Sequence, residues 1–306
     1  MSATPTPPDL PRRRHYGDFY QLNPTPRSPH LPFVMVMGNC QAESLRILLA
    51  SSGAVDSFRI PPVHEFTAED IALLRPVLAR ADVLITQPIR DNYRDLPLGT
   101  SQLAALLPAA ARQILYPVLR WDGLMPFHAI IRDPDDPSRN PPVVPYHDLR
   151  LVAAAARGLN RPAQPVDPDF RAAAAASIAH LRAREQYHDT VRVSEHLQTY
   201  PVWHTINHPS NETLAFMAQR VLDEITPGSV HPPTDREMLG GLQAPIDTAA
   251  AQALGVDITG RDEWSAAGVP IAGIAQAQLA FYRENPQVVE AGLHRHAERL
   301  NILGLA

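Results

Sequence analysis

The chain has 306 residues, 45% of them hydrophobic and 19% charged, so it is long enough to bury a substantial core and too apolar to be disordered throughout. All 27 basic residues are arginine, which excludes a Schiff-base lysine, a P-loop lysine and a lysine general base. A net charge of −5 without a long basic run argues against a nucleic-acid footprint, and a single cysteine excludes an internal disulfide framework and cysteine-rich zinc sites.

Residues 1–30 are rich in proline and polar side chains and read as an arm lying on the surface or partly disordered. Arg12-Arg13-Arg14 has no apolar segment behind it, so an export signal is not expected. No apolar stretch approaches the roughly 18–20 residues of a transmembrane helix, and the protein is expected in the cytoplasm. Residues 32–37 (PFVMVM) form an apolar run that stops at Gly38-Asn39-Cys40. Leu45, Ile47, Leu48 and Leu49 then give a helical pattern that closes at Gly53. FTAEDIALLRPVL predicts a helix with Thr67 as N-cap, and residues 81–89 a second buried strand ending at Arg90-Asp91-Asn92. A helix over 100–112 and a third strand in ARQILYPVL follow. Strands alternating with helices at this spacing predict an α/β fold, a parallel sheet flanked by helices.

Residues 121–145 carry too much proline and aspartate for regular structure and read as a long excursion, more often functional or mobile than buried. Asp167-Pro168 predicts the start of a helix running to about 186. PVWHTI (201–206) reads as a fourth strand, followed by Asn207-His208-Pro209 and a helix whose apolar face is Leu214, Met217, Ala218, Val221, Leu222 and Ile225. The remaining residues read as a helical extension. The expected division is an arm over 1–30, a catalytic α/β domain over 31–228 and a helical C-terminal extension over 229–306 packed on the same domain.

Cys40 is the sharpest chemical feature. It is the only thiol and stands where a strand meets a helix, at the sheet edge where open α/β sheets bind ligands. A helix N-terminus favours thiolate, so a lowered thiol pKa is expected, and free N–H groups there can hold an oxyanion beside Gly38. The polar neighbours Asn39 and Gln41 set it apart from a cysteine packed as a small hydrophobe. His208 repeats the placement and suits a general base, with capping of the following helix as its plain alternative. Gln87 ends the second strand and is either an oxyanion or substrate donor or a turn residue. Arg90, Tyr93 and Arg94 lie just beyond it and suit a phosphate or carboxylate, although loop side chains of this kind are often simply solvated. Arg184-Glu185 with His188-Asp189 can supply a group orienting His208 or form an ordinary helix surface. His64, His128 and His147 each read as structural, and no histidine spacing suggests a metal.

GNCQAESLRILL, ADVLITQPIRDNYRD and HTINHPSNETLAFMAQRVL, with YHDLRLVAAAARGL and REQYHDTVRVSEHL between them, resemble the WcbI family of bacterial capsular polysaccharide biosynthesis enzymes. The similarity runs in patches from about 33 to 225. The first motif is also similar to that of SGNH hydrolases, with Cys40 where their serine stands, which suggests an SGNH- or flavodoxin-like core. The resemblance implies a coenzyme A-dependent O-acetyltransferase acting on a sugar or polysaccharide precursor. Cys40 and His208 are then the catalytic pair, and Gly38, Asn39, Gln41, Gln87 and Asn207 lie around the oxyanion or substrate. Acetyl-CoA is the expected co-substrate, held by Arg90, Tyr93 and Arg94, with a carbohydrate acceptor and no metal. A thiol hydrolase and a non-catalytic glycan- or nucleotide-binding protein are the alternatives.

Overall fold

A computed structural model describes residues 10–22 and 24–306. In chain order the first elements are α1 (Leu10–His15), β1 (Val34–Met37), α2 (Gln41–Ser51), α3 (Ala68–Leu78), β2 (Val83–Thr86), α4 (Thr100–Ala104), β3 (Arg112–Leu115), β4 (His128–Ala129) and β5 (His147–Asp148). Then come α5 (Leu149–Ala156), α6 (Phe170–His188), α7 (Asn211–Ile225), β6 (Leu242–Gln243), α8 (Thr248–Leu254), β7 (Ser265–Ala266), β8 (Val269–Pro270), α9 (Ile274–Glu284), α10 (Pro286–Arg295) and α11 (Ala297–Ile302). Two compact units divide the chain: Met1–Val118, Arg182–Val193 and Asn211–Glu237 form one, and Leu119–Leu181, Ser194–Ser210 and Met238–Ala306 the other.

The first unit holds a parallel sheet in the order β1-β2-β3, with Val36, Ile85 and Ile114 in register. VMVM and VLIT are buried at every position, as strands covered on both faces must be. A parallel bridge from Phe33 to Asp56 extends the sheet on the other side of β1. From β1 the chain therefore runs through α2 to one flank and through α3 to the other. The strand order reverses at the carboxyl end of β1, and that is where open α/β sheets form their crevice.

Local chemistry sets the helix ends. Gly53 takes φ +66° after α2, a left-handed conformation that glycine adopts without penalty. Thr67 and Asp70 form a capping box at the start of α3. The helix expected over 100–112 closes at Ala104, and Pro108 cannot continue it. On α7, Leu214, Met217, Ala218, Val221 and Leu222 are buried, as the apolar stripe requires, and α7 packs on α2.

The N-terminal segment lies deeper than a surface arm. Tyr16, Phe19 and Tyr20 are buried with Phe66 and Leu74 in the core of the first unit. Arg12 and the Tyr20 hydroxyl donate to the buried Asp70 carboxylate at 2.8 and 2.6 Å. Burial works to raise the pKa of Asp70, but the bonds from Arg12, Tyr20 and Thr67 outweigh it and hold the carboxyl below its ordinary value. Residues 1–9 of the expected arm, and Asn23, lie outside the described residues.

In the second unit residues 121–145 are irregular, as expected, but much of the segment is core. Trp121, Leu124, Met125, Phe127, Ala129, Ile131 and Val144 are all buried. The prolines prevent regular structure without preventing burial, because β4 pairs with β5 and the apolar side chains pack on α5 and the C-terminal helices. The helix expected from Asp167 begins at Phe170, and its cap is Asp169, which accepts from the Ala172 N–H at 2.9 Å. Asp167 is left at φ +47° in the preceding bend.

PVWHTI is not a strand. Residues 201–204 are irregular, and Thr205 and His208 close a tight turn by pairing with each other. The helical C-terminal region also contains an antiparallel sheet in the order β6-β7-β8, whose two-residue strands carry too little periodicity to be read beforehand. The architecture is thus a parallel sheet flanked by helices, with several further helices towards the C-terminus.

Candidate active site

At the carboxyl end of β1 the chain makes its turn into α2 through Gly38, Asn39 and Cys40. Gly38 is required by space. A Cβ there would collide with the Tyr116 hydroxyl and stand 2.8 Å from Gln87 Oε1. The Gly38 carbonyl accepts from the Val63 N–H at 2.8 Å, which ties the turn to the 3₁₀ segment Val63–Glu65. Tyr116, fully buried just after β3, donates its hydroxyl to the Met37 carbonyl at 3.0 Å.

Gln87 directly follows β2 and organises the turn from the other side. Its Oε1 accepts from the Asn39 N–H at 2.9 Å, while its Nε2 donates to Asn39 Oδ1 at 3.3 Å and to Gln41 Oε1 at 3.2 Å. Asn39 Oδ1 also accepts from the Gln41 N–H at 2.9 Å. Gln41 is fully buried in this network, so its polarity marks an internal hydrogen-bond partner and not a solvent-facing neighbour of the cysteine.

Cys40 is half-buried and free, at the N-cap position of α2, where its own side chain makes no capping hydrogen bond and the first-turn Gln41 N–H is taken by Asn39 Oδ1. Its thiol pKa runs opposite to expectation. Burial pushes it up, and the N–H groups of Cys40 and Gln41, which pull it down, do not compensate. Desolvation of a thiolate outweighs the two backbone dipoles at this site. Iodoacetamide should therefore label Cys40 at pH 7 more slowly than it labels glutathione, with a rate profile whose midpoint lies above about 8.5. A midpoint below that value would contradict the dominance of burial.

His208 lies in the second unit, in the turn closed by Thr205. Its N–H donates to the Thr205 carbonyl at 3.2 Å, and its own carbonyl accepts from the His204 N–H at 3.0 Å. Burial, and then the neighbouring His204, lowers the imidazole pKa, so the ring is neutral at pH 7 and able to accept a proton. Its Nδ1 is buried without a hydrogen-bond partner among the described residues.

Three residues that the sequence did not single out hold this turn. The Tyr146 hydroxyl donates to Asn207 Oδ1 at 2.7 Å and lies 2.9 Å from Thr205 Oγ1. Arg261 donates to the carbonyls of Trp203, His204 and Ala244 at 2.6–2.9 Å. Trp264 stacks on Tyr146 with ring centroids 5.3 Å apart. The Asn207 carbonyl oxygen is thus engaged in keeping the turn closed.

The remaining candidates are placed as follows. Arg90 is exposed, Tyr93 packs partly against the first unit's core, and exposed Arg94 donates to the His64 carbonyl at 2.9 Å. Arg94 itself has φ +54°, between Asn92 at +52° and Asp95 at +62°. Glu185 is buried and accepts from the Val193 N–H at 2.7 Å, so its carboxylate anchors the segment after α6. His64 and His188 are exposed, while His128 and His147 are buried in the second unit. Among the described residues, no group of three or more His, Cys, Asp or Glu side chains is gathered as a metal would require.

The sequence profile of WcbI, described as a polysaccharide biosynthesis enzyme, matches residues 33–228, more than half of the chain. The chain belongs to the WcbI family. It is accordingly an enzyme of a polysaccharide biosynthesis family, and the matched span runs from β1 through α7. The fold agrees with a solved WcbI structure at a TM-score of 0.70 and 16% sequence identity, over 89% of this chain and 97% of that one. That structure is described as the native protein without a disulfide bond between coenzyme A and one of its cysteines. No curated protein matches the chain. None of its helices among the described residues is long and apolar enough to cross a membrane.

Proposed function

We propose that this WcbI-family enzyme is a coenzyme A-dependent O-acyltransferase, with acetyl as the group moved and a sugar or polysaccharide-precursor hydroxyl as acceptor. One observation carries the reading: the only thiol of the chain stands at the carboxyl end of β1, where the strand order reverses, in a turn held by Gln87 and Tyr116, which directly follow β2 and β3. A coenzyme A thioester as donor would place the enzyme in the cytoplasm, and the relative whose description names coenzyme A and a cysteine, without a disulfide between them, supports that donor.

In this mechanism the resting states are a protonated Cys40 thiol and a neutral His208. His208 takes the thiol proton as the Cys40 sulfur bonds to the acyl carbon, and the proton then goes to the departing coenzyme A sulfur. In the second half His208 takes the proton of the acceptor hydroxyl while that oxygen bonds to the acyl carbon. The Cys40 sulfur leaves and recovers the proton. The Cys40 N–H at the start of α2 supplies a dipole for the carbonyl oxygen, since the Gln41 N–H is taken by Asn39 Oδ1.

The raised thiol pKa favours a second version within the same chemistry, in which His208 activates the hydroxyl directly and Cys40 shapes the thioester site. Intact-protein mass spectrometry after a brief exposure to acetyl-CoA separates the two. A gain of one acetyl group that is absent in Cys40→Ser supports the covalent route. Transfer to an acceptor without any acetyl-protein supports the direct one, and neither transfer nor acylation with any acyl-CoA overturns the function.

The phosphates of coenzyme A must be met by arginine, helix N-termini and backbone N–H groups, since the chain lacks lysine. We place them at Arg90 and Arg94, beside Tyr93. Coenzyme A should raise the melting temperature in proportion to its concentration, because it binds the folded state. Replacing Arg90 and Arg94 together with Ala should remove most of that rise, and so should added salt. A rise that persists unchanged in the double variant would move the phosphate site elsewhere.

A further inference from the structure

We propose that the Asn39 side-chain amide is the hydrogen-bond donor to the developing oxyanion at Cys40, and that Gln87 is a positioning residue that aims it. This rests on the acyl-transfer reading above and assigns the side-chain donor within that site. An oxyanion donor must be held in place before the reaction and must have an N–H left over for the ligand.

Gln87 fails the second condition. Its oxygen takes the Asn39 N–H, and its two amide hydrogens go to Asn39 Oδ1 and Gln41 Oε1, so the whole group is occupied within the turn. Asn39 meets both conditions. Its Oδ1 accepts from the Gln41 N–H and from Gln87 Nε2, two donors that settle which end of the amide is oxygen. Its Nδ2 makes no hydrogen bond among the described residues. The residue is half-buried, directly before the thiol, and its backbone is tied to Gln87 as well.

The supports behind the turn are rigid. Tyr116 and Gln87 fill the space over Gly38, and Tyr116 reaches from the end of β3 to the last carbonyl of β1. β2 lies between those strands, and Gln87, just after it, holds the Asn39 amide oxygen directly, so residues following all three strands support the turn.

Two reagents separate a donor from a scaffold. p-Nitrophenyl acetate acylates a thiol through a tetrahedral oxyanion: the sulfur–acyl bond forms, p-nitrophenolate leaves and the thiol proton passes to base. Iodoacetamide alkylates the same sulfur by displacing iodide and places no charge on a carbonyl oxygen. The ratio of the two rates at Cys40 cancels changes in thiol ionisation and access.

In Asn39→Ala that ratio should fall about 10²–10³-fold, the range for loss of one oxyanion donor. Asn39→Asp keeps the acceptor for the Gln41 N–H and loses the donor, so it should show the same fall even if the Ala variant folds poorly. Gln87→Glu keeps the acceptor for the Asn39 N–H but loses the two donors, and the ratio should fall by about tenfold. A merely structural role for Gln87 would lower the melting temperature and leave the ratio unchanged. Acylation of the wild-type protein with an unchanged ratio in both Asn39 variants overturns the donor role alone. Alkylation of wild-type Cys40 without acylation by p-nitrophenyl acetate or acetyl-CoA overturns the covalent transferase reading itself.

Discussion

Replacing His208 with Asn should lower the acyl-transfer rate at saturating acetyl-CoA by about 10²–10⁴-fold, the range for loss of a general base, and leave coenzyme A affinity nearly unchanged. The ring is neutral at pH 7 because burial and His204 lower its pKa, whereas the thiol is protonated because burial raises its own. A half-buried thiol that is protonated at pH 7 needs a base to act as a nucleophile. The turn carrying His208 is pinned by bonds that do not involve the ring, from Tyr146 to Asn207 and from Arg261 to the Trp203 and His204 carbonyls. The Asn variant should therefore fold. Groups acting in one step are not additive, so Cys40→Ser with His208→Asn should cost about as much as the worse single variant. Full additivity would mean that the two residues act independently. A collapse of coenzyme A binding with the rate at saturation preserved would make His208 a ligand contact and not the base.

The second large effect is acid destabilisation of the second unit. Three of its histidines are neutral when folded: burial lowers His128 to about 4, against a small opposing pull from Asp148 and with help from Arg150, Arg299 and Arg261. Burial likewise lowers His147 to about 4, although the Ile131 backbone opposes it, and lowers His296 to about 3, with Arg299 and Arg295 adding to the effect. In the unfolded chain each has a pKa of about 6.5. Above that pH neither state binds the protons and full stability is present. As pH falls below it, only the unfolded chain takes them up, so stability declines until the folded pKa values are reached.

At pH 5 the loss is about 1–2 kcal/mol per histidine, against a typical total of about 5–15 kcal/mol. The three losses together, about 3–6 kcal/mol, should lower the melting temperature by about 6–24 °C between pH 7.5 and pH 5. His128 Nδ1 has no hydrogen-bond partner among the described residues and its ring lies against Trp264, so His128→Phe should remove roughly a third of the decline while leaving stability at pH 7.5 nearly intact. A flat profile from pH 7.5 to 5 would show that these side chains are not neutral in the folded protein.

The local rules carried much of this fold. The apolar runs at 34–37 and 83–86, the glycine at 53, the Thr67 cap and the stripe on α7 each depend on neighbours within a few turns, and each stands where that chemistry puts it. The turn bearing Cys40 was legible for the same reason, since a strand that stops at Gly-Asn-Cys before a helix needs no distant partner to be recognised. What lay beyond the sequence was whatever depended on contacts across the sheet or across long stretches of chain. PVWHTI has the composition of a strand, but Arg261 takes its carbonyls and Thr205 pairs with His208, so the backbone found its hydrogen bonds in a turn. Residues 121–145 have the composition of a surface loop, yet their apolar side chains were required in the core around α5 and the C-terminal helices. The sign of the Cys40 shift and the place of Tyr116 behind the turn were likewise decided by tertiary structure. A helix dipole can be read from a strand–helix junction, but the desolvation that overrides it depends on what covers the junction. A tyrosine at 116 has no local reason to matter to a cysteine at 40. It does so only because the β1-β2-β3 order lets its hydroxyl reach the last carbonyl of β1.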